Sequence, residues 1–294
     1  MWHGVIPAVT TKFKEDGSLD HAEMERCFDY QMQAGCHGLV ACGTLGEGNM
    51  LSHEERLEVL GLCKQASRDK PALLTISEPG TREACELARK AGPAGADGIM
   101  IVPSPIYHTS RDETIANLRA IAEAADLPVM IYNNPVGYKV DLSPAAFRKL
   151  ASCETIVAVK ESSHDSRRIT DMFNACGDRY VLFCGVDDLV LENLLFGAAG
   201  WVAGLVNAFP RESVALYRLA KEGRVEEAVA LYRWFMPLLH LDVDKKLVQF
   251  IKLANQIAGE GAEWVRRPRL PLVGEERERI TAIVEAAIAG RPSV

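Results

Sequence analysis

Short runs of aliphatic and β-branched residues recur along the chain, each followed by a longer stretch of helical period. The runs are GVIPAVT (4–10), GLVAC (38–42), ALLTIS (72–77), GIMIV (98–102), PVMIYN (128–133), IVAVK (156–160), YVLFCG (180–185) and GWVAGL (200–205). They are polar on neither face, which is how parallel strands covered by helices read. Helix starts stand between them: Asp20 with Glu23, Ser52 with Glu55 and Ser110 with Glu113 have capping-box spacing, and Ser143-Pro144 sets a cap before a first-turn proline. Eight β/α units predict an α/β fold, a (β/α)8 TIM barrel, with the doubly wound open sheet as its competitor. After Gly223 the rhythm changes, and 224–239, 242–259 and 275–290 read as helices with no strand between them. The expected organisation is therefore a barrel over 1–223 that carries the chemistry and a C-terminal three-helix extension over 224–294.

Composition narrows the partners. With 294 residues and 48% hydrophobic content the chain can bury a large core, and its formal net charge of −7 opposes polyanions. No basic stretch is interleaved with aromatics, so nucleic acid is not expected as a partner. The eight cysteines form no C-x-x-C and mostly lie inside apolar stretches, which reads as reduced core residues in a cytoplasmic protein. The opening MWHGVIPAVTTKF lacks the basic start and long apolar segment of a signal peptide. The most apolar region, 180–209, is interrupted by Asp187, Asp188 and Glu192, so no membrane partner is expected either.

The sixth run closes on Lys160. At the C-terminal end of a barrel strand its amine would face the active-site mouth, where desolvation lowers a lysine pKa from about 10.4 and frees a nucleophile able to form an imine. Position alone fits a lysine snorkelling to the rim equally well. VAVK looks like the kinase strand motif, but no glycine-rich loop, HRD or DFG accompanies it. In CGTLGEGNMLSHEER (42–56), Gly43, Gly46 and Gly48 would let backbone amides approach a carboxylate, or would serve only a tight turn. Tyr132, ending the fifth run, could relay protons or simply anchor a hydroxyl. His53 with Glu54-Glu55 makes no H-E-x-x-H, and no His/Asp cluster has metal-ligand spacing, so no metal is expected.

Taken together, GVIPAVTTKF with DGSLD, the GTLGE loop, YNNP, VKES and Gly185 with Asp187-Asp188 resemble the dihydrodipicolinate synthase/N-acetylneuraminate lyase family nearly end to end. The resemblance implies a homotetramer built from tight dimers, 2-oxo acid substrates held as lysine imines, and no cofactor. It assigns Lys160 as the imine lysine, Tyr132 as the proton-shuttling tyrosine, Thr44 as a hydroxyl relay and Tyr107 as a tyrosine reaching a neighbouring subunit's site. Gly43, Thr44, Leu45, Gly185 and Val202 would contact substrate.

Two departures bear on the substrate. Leu45 stands where the synthase has a second threonine, and Thr44 stands where the lyase has a serine. After Y-N-x-P the synthase carries an arginine for its second substrate's carboxylate, whereas Val136-Gly137-Tyr138-Lys139 stands here. A lysine a position or two on does not reproduce a bidentate guanidinium. Overall, with GTLGE and YNNP, the chain resembles the 1-pyrroline-4-hydroxy-2-carboxylate deaminase branch more than the synthase. Dihydrodipicolinate synthase, a 4-hydroxy-2-oxoglutarate-type aldolase, a sugar-acid dehydratase, N-acetylneuraminate lyase and a non-enzymatic 2-oxo acid sensor are the alternatives.

Overall fold

The computed structural model describes residues 2–107 and 109–294. Its strands are β1 (Gly4–Pro7), β2 (Leu39–Ala41), β3 (Ala72–Ile76), β4 (Gly98–Ile101), β5 (Val129–Asn133), β6 (Ile156–Glu161), β7 (Val181–Cys184) and β8 (Gly200–Ala203). They form one sheet in the order β1-β8-β7-β6-β5-β4-β3-β2, and every pairing is parallel. The ends of that order meet through a parallel bridge between Ala8 and Val40, where the Val9 amide donates to the Val40 carbonyl at 3.0 Å. This is the (β/α)8 barrel expected from the apolar runs.

Alternation along each strand divides the core in two. Ile6, Val40, Leu73, Met100, Met130, Ala158, Phe183 and Val202 turn inward and fill the barrel, while their neighbours, such as Val5, Leu39, Ile99, Ile131, Val159 and Trp201, pack outward against helices. Tyr132 belongs to the inward set.

The surrounding helices are α1 (His21–Gln33), α2 (His53–Ser67), α3 (Thr81–Ala91), α4 (Arg111–Ala125), a single turn α5 (Pro135–Tyr138), α6 (Pro144–Leu150), α7 (Arg167–Cys176), α8 (Val190–Leu195) and α9 (Pro210–Lys221). Ser52 with Glu55 and Ser110 with Glu113 form reciprocal capping boxes, and Asp20 accepts the Glu23 amide at 3.1 Å. Ser143 occupies its cap position without a side-chain hydrogen bond, so the first-turn Pro144 is the local start signal there.

Beyond the barrel lie α10 (Val225–Leu239), α11 (Leu247–Ile257) and α12 (Gly274–Ala289). The helix expected from residue 242 begins five residues later. His240–Val243 is a 3-10 turn, after which the Asp244 backbone is extended and its carboxylate accepts the Lys246 amide at 2.9 Å. A side chain that satisfies a nearby amide in this way competes with helix formation, and here it delays the helix. The break leaves Asp242 on a turn that reaches the barrel mouth.

Candidate active site

A cavity of about 220 Å³ opens at the C-terminal ends of the strands, where a barrel's active site is expected. Lys160 stands in its wall, only 6% exposed, with Nζ 4.1 Å from the centroid of the Tyr132 ring. Their meeting depends on one irregularity. Val129 pairs with Ile156 but Met130 pairs with Ala158, so Val157 is an extra residue in β6 and Tyr132 comes to lie directly opposite Lys160. Without that bulge Tyr132 would pair with Val159, and the two functional groups would lie out of register. One position further, Asn133 Nδ2 donates to Glu161 Oε2 at 2.9 Å and ties the two strand ends together.

Burial lowers the Lys160 pKa, and the negative potential of Asp242 and Asp187 partly opposes that shift. Gly185 supplies the space for the lysine. A Cβ there would sit 2.7 Å from Lys160 Cε and 2.1 Å from Ser162 Oγ, so no other residue is accommodated. Ser162 Oγ is itself buried without a hydrogen-bond partner. Burial also pushes the Tyr132 phenol up to about 12, so it is a proton donor at neutral pH, and its oxygen accepts from Asn134 Nδ2 at 2.9 Å.

The glycine loop closes tightly above β2. Gly48 lies where a Cβ would be 1.9 Å from the Cys42 carbonyl oxygen, and both Cys42 and Glu47 take left-handed backbone angles. The Glu47 and Gly48 amides are used within the loop, on the Thr44 and Gly43 carbonyls. Those of Thr44 and Leu45 have no acceptor among the described residues and remain available to an anion. Thr44 Oγ1 lies 2.6 Å from the Tyr138 hydroxyl, and the Tyr138 ring meets Tyr132 edge to face at 5.8 Å. Burial raises the Tyr138 phenol to about 12.

The structure thus gathers Lys160, Tyr132, Thr44, Gly43, Leu45 and Gly185 around one cavity. Val202 is not in its lining; at 1% exposure it lies deeper, in the barrel interior. Tyr107 is 60% exposed, donates to Glu113 Oε1 at 3.2 Å, and does not reach the cavity of its own chain. Sequence reasoning missed Tyr138, Ser162, Asn134 and Asp242, all of which line it. Tyr138 and Asn134 were readable as neighbours of Tyr132, whereas Asp242 arrives from the distant tail.

Asp187, named only within a motif, is a fully engaged buried carboxylate. It accepts from Trp201 Nε1 at 2.9 Å and from the Gly204 and Leu205 amides, while burial pushes it up to about 6. No cluster of three or more His, Cys, Asp or Glu side chains suited to a metal ion occurs among the described residues.

A barrel with a desolvated lysine at the end of its sixth strand, facing a tyrosine, defines an imine-forming lyase of the aldolase type. The chain belongs to the dihydrodipicolinate synthetase family, whose profile it matches over residues 1–287. It is 32% identical over 286 residues to the 4-hydroxy-tetrahydrodipicolinate synthase of Methanothrix thermoacetophila, covering 97% of this chain and 96% of that one. With the Pelobacter propionicus protein of the same name it shares 31% over 288 residues, covering 97% and 99%. The crystal structure of dihydrodipicolinate synthase from Aquifex aeolicus superposes with a TM-score of 0.92 at 27% identity, covering 97% of this chain and 98% of that one. A prophage protein of the family from E. coli K12, in complex with pyruvate, gives 0.92 at 27%, covering 98% and 99%. Membership makes the protein a class I lyase that works through its own lysine and needs no cofactor. No helix among the described residues is long and apolar enough to cross a membrane.

Proposed function

We propose that the protein deaminates 1-pyrroline-4-hydroxy-2-carboxylate to 2,5-dioxopentanoate and ammonia. The supporting observation is the charge of the cavity wall: Lys160 and Asp242 line it together with His164, and no arginine among the described residues does. The stretch comparable to the one that carries the synthase arginine is Val136-Gly137-Tyr138-Lys139, and its one ammonium, on Lys139, is turned onto the Val136 carbonyl at 2.8 Å. A second substrate carboxylate would stand unpaired beside Asp242, at a cost of about 2 to 5 kcal/mol, which is more than tenfold in rate. A compact monocarboxylate avoids that cost.

In this reading the amides of Thr44 and Leu45 hold the carboxylate, and Leu45 packs against the ring. Neutral Lys160 attacks C2, takes over the imine and leaves the ring nitrogen as an amine on C5. The Tyr132 phenol gives its proton to the ring nitrogen as that nitrogen leaves C2, and the phenolate so formed, with Thr44 alongside, takes the C3 proton while the cationic imine stabilises the developing carbanion. The 4-hydroxyl departs as water, and the new double bond shifts to C4–C5 beside the amine. One water releases ammonia and leaves the C5 aldehyde; a second frees the C2 ketone from Lys160. Net consumption is one water per turnover.

Tyr107, with the still more exposed Ile106 at 74%, belongs in this reading to a dimer interface within a homotetramer, where it completes the relay of the neighbouring subunit. A cytoplasmic location fits the eight cysteines, none of which is in a disulfide. The alternative, synthase activity, is favoured by the names of the relatives. The deciding measurement compares kcat/KM for ammonia release from the hydroxypyrroline with that for ring formation from pyruvate and aspartate semialdehyde. Ammonia release at least tenfold more efficient is expected; efficient synthase turnover would overturn the assignment.

A further inference from the structure

The lining of the cavity includes one carboxylate that the steps above leave without a task. Asp242 sits on the turn between α10 and α11, and its carboxylate lies against Gly204, so close that a Cβ on Gly204 would be 2.0 Å from Oδ1. The turn is fastened to the barrel by its neighbour His240, whose Nδ1 lies 2.9 Å from Asp188 Oδ2. Asp187 spends its oxygens on Trp201, Gly204 and Leu205, and Asp188 is held by His240. Asp242, by contrast, forms no hydrogen bond or ion pair among the described residues, although it faces the same cavity as the amine of Lys160. A half-buried carboxyl group with no protein partner, beside the amine that forms the imine, is placed for a ligand.

From this geometry we infer that Asp242 is the general acid that protonates the departing C4 hydroxyl of the lysine-bound substrate. The inference rests on the deaminase reading and adds the group it lacks, because a hydroxide leaving into a buried cavity needs a proton. As the C3–H bond breaks, its electron pair becomes the C3–C4 π bond. The C4–O pair leaves with the oxygen, and the Asp242 proton completes the water molecule. Asp242 is left as a carboxylate opposite the cationic imine and regains a proton from bulk water through the mouth.

The charge environment supplies the acid form. Burial and the nearby Asp187 push the Asp242 carboxyl well above the usual carboxylate range, Lys160 opposes this, and Asp188 adds to it. Tyr132 from β5, Tyr138 from α5, His240 on the same turn and His164 of the cavity wall are the other titratable groups around it. An acid raised in this way donates below its pKa, so kcat should fall as pH rises through the Asp242 titration.

The test is Asp242→Asn, which keeps size and shape, with Asp242→Glu as the conservative control. Three readouts are taken on wild type and variants: borohydride trapping of pyruvate on Lys160, deuterium exchange of the pyruvate methyl protons, and steady-state ammonia release from the hydroxypyrroline across pH. Asp242→Asn should keep trapping and exchange. It should lose at least a hundredfold in kcat with KM within threefold, and lose the alkaline limb of the kcat profile, while Asp242→Glu restores part of both. A kcat within threefold of wild type overturns the inference. So does loss of trapping, which would make Asp242 a residue that only positions Lys160. If wild type traps pyruvate but releases no ammonia, the deaminase reading falls, and Asp242 is then judged by water loss from an open-chain 4-hydroxy-2-oxo acid. There Asp242→Asn must again cost a hundredfold, and failure of wild type to cleave either C4–O bond ends both proposals.

Discussion

The proposed role of Lys160 as a nucleophile rests on its surroundings, since no carboxylate among the described residues lies within ion-pair distance of its amine. The Tyr132 ring covers its amine at 4.1 Å, and Gly185 gives it room that any side chain would fill. Burial lowers its pKa below 10.5, so its neutral fraction grows as pH rises and levels off before that of a peptide lysine does. The rate of pyruvate imine formation should therefore increase with pH and reach its plateau below pH 10.5. Borohydride reduction should place the pyruvate adduct on Lys160, and Lys160→Ala should carry none and lose at least a thousandfold in turnover, as expected for a covalent nucleophile. An adduct on another lysine, or turnover surviving the substitution, would remove Lys160 from its role. Lys160 and Tyr132 were legible in sequence because each closes an apolar run, and strand ends point at the barrel mouth. Asp242 was not, because the helical reading began at it and so hid the turn on which it sits.

At the scale of elements, the eight strands and the capped helices were legible because burial on both faces and capping side chains are written locally. The register shift at Val157 was not, since nothing in IVAVK marks which residue will be the extra one. The loop after β2 likewise depends on a partner remote in sequence. Glu47, held in a left-handed conformation, meets Lys252 of α11 at 2.5 Å with both side chains wholly buried, and also accepts the Arg266 amide at 3.0 Å. Burial pulls the Lys252 pKa down to about 7 in spite of Glu47, the pull of desolvation on a charge exceeding that of its partner. Removing Lys252 leaves buried Glu47 with only the Arg266 amide and Arg269 at 3.6 Å, so Lys252→Met should destabilise the fold by about 3 to 5 kcal/mol in a urea melt. Adding Glu47→Gln should recover part of that loss, giving a double variant less destabilised than the sum of its singles. A loss under about 1 kcal/mol for Lys252→Met would mean that the pair does not secure the loop.

At the scale of the whole molecule, the site is nearly complete within one chain, and the question is whether a second chain finishes it. Tyr107 projects from the β4–α4 connection beside Ile106, both largely exposed, while Tyr138 of the same chain already occupies the Thr44 hydroxyl at 2.6 Å. The sequence could name Tyr107 through resemblance, but contacts between copies leave no periodicity to read. If Tyr107 acts in a neighbouring site across a two-fold interface, Lys160→Ala and Tyr107→Phe subunits are each impaired but complementary. A hybrid dimer then has one site with its own Lys160 and a neighbour's Tyr107, and one site with neither. Random reassembly of equal amounts makes half the dimers hybrid, with one of two sites intact, so about a quarter of wild-type activity should return. Mass measurement of the mixture establishes that hybrids have formed. Hybrids no more active than the parents would place Tyr107 outside the relay. A Tyr107→Phe enzyme with full activity on its own would show that the Thr44–Tyr138 pair moves the proton without help from a second subunit.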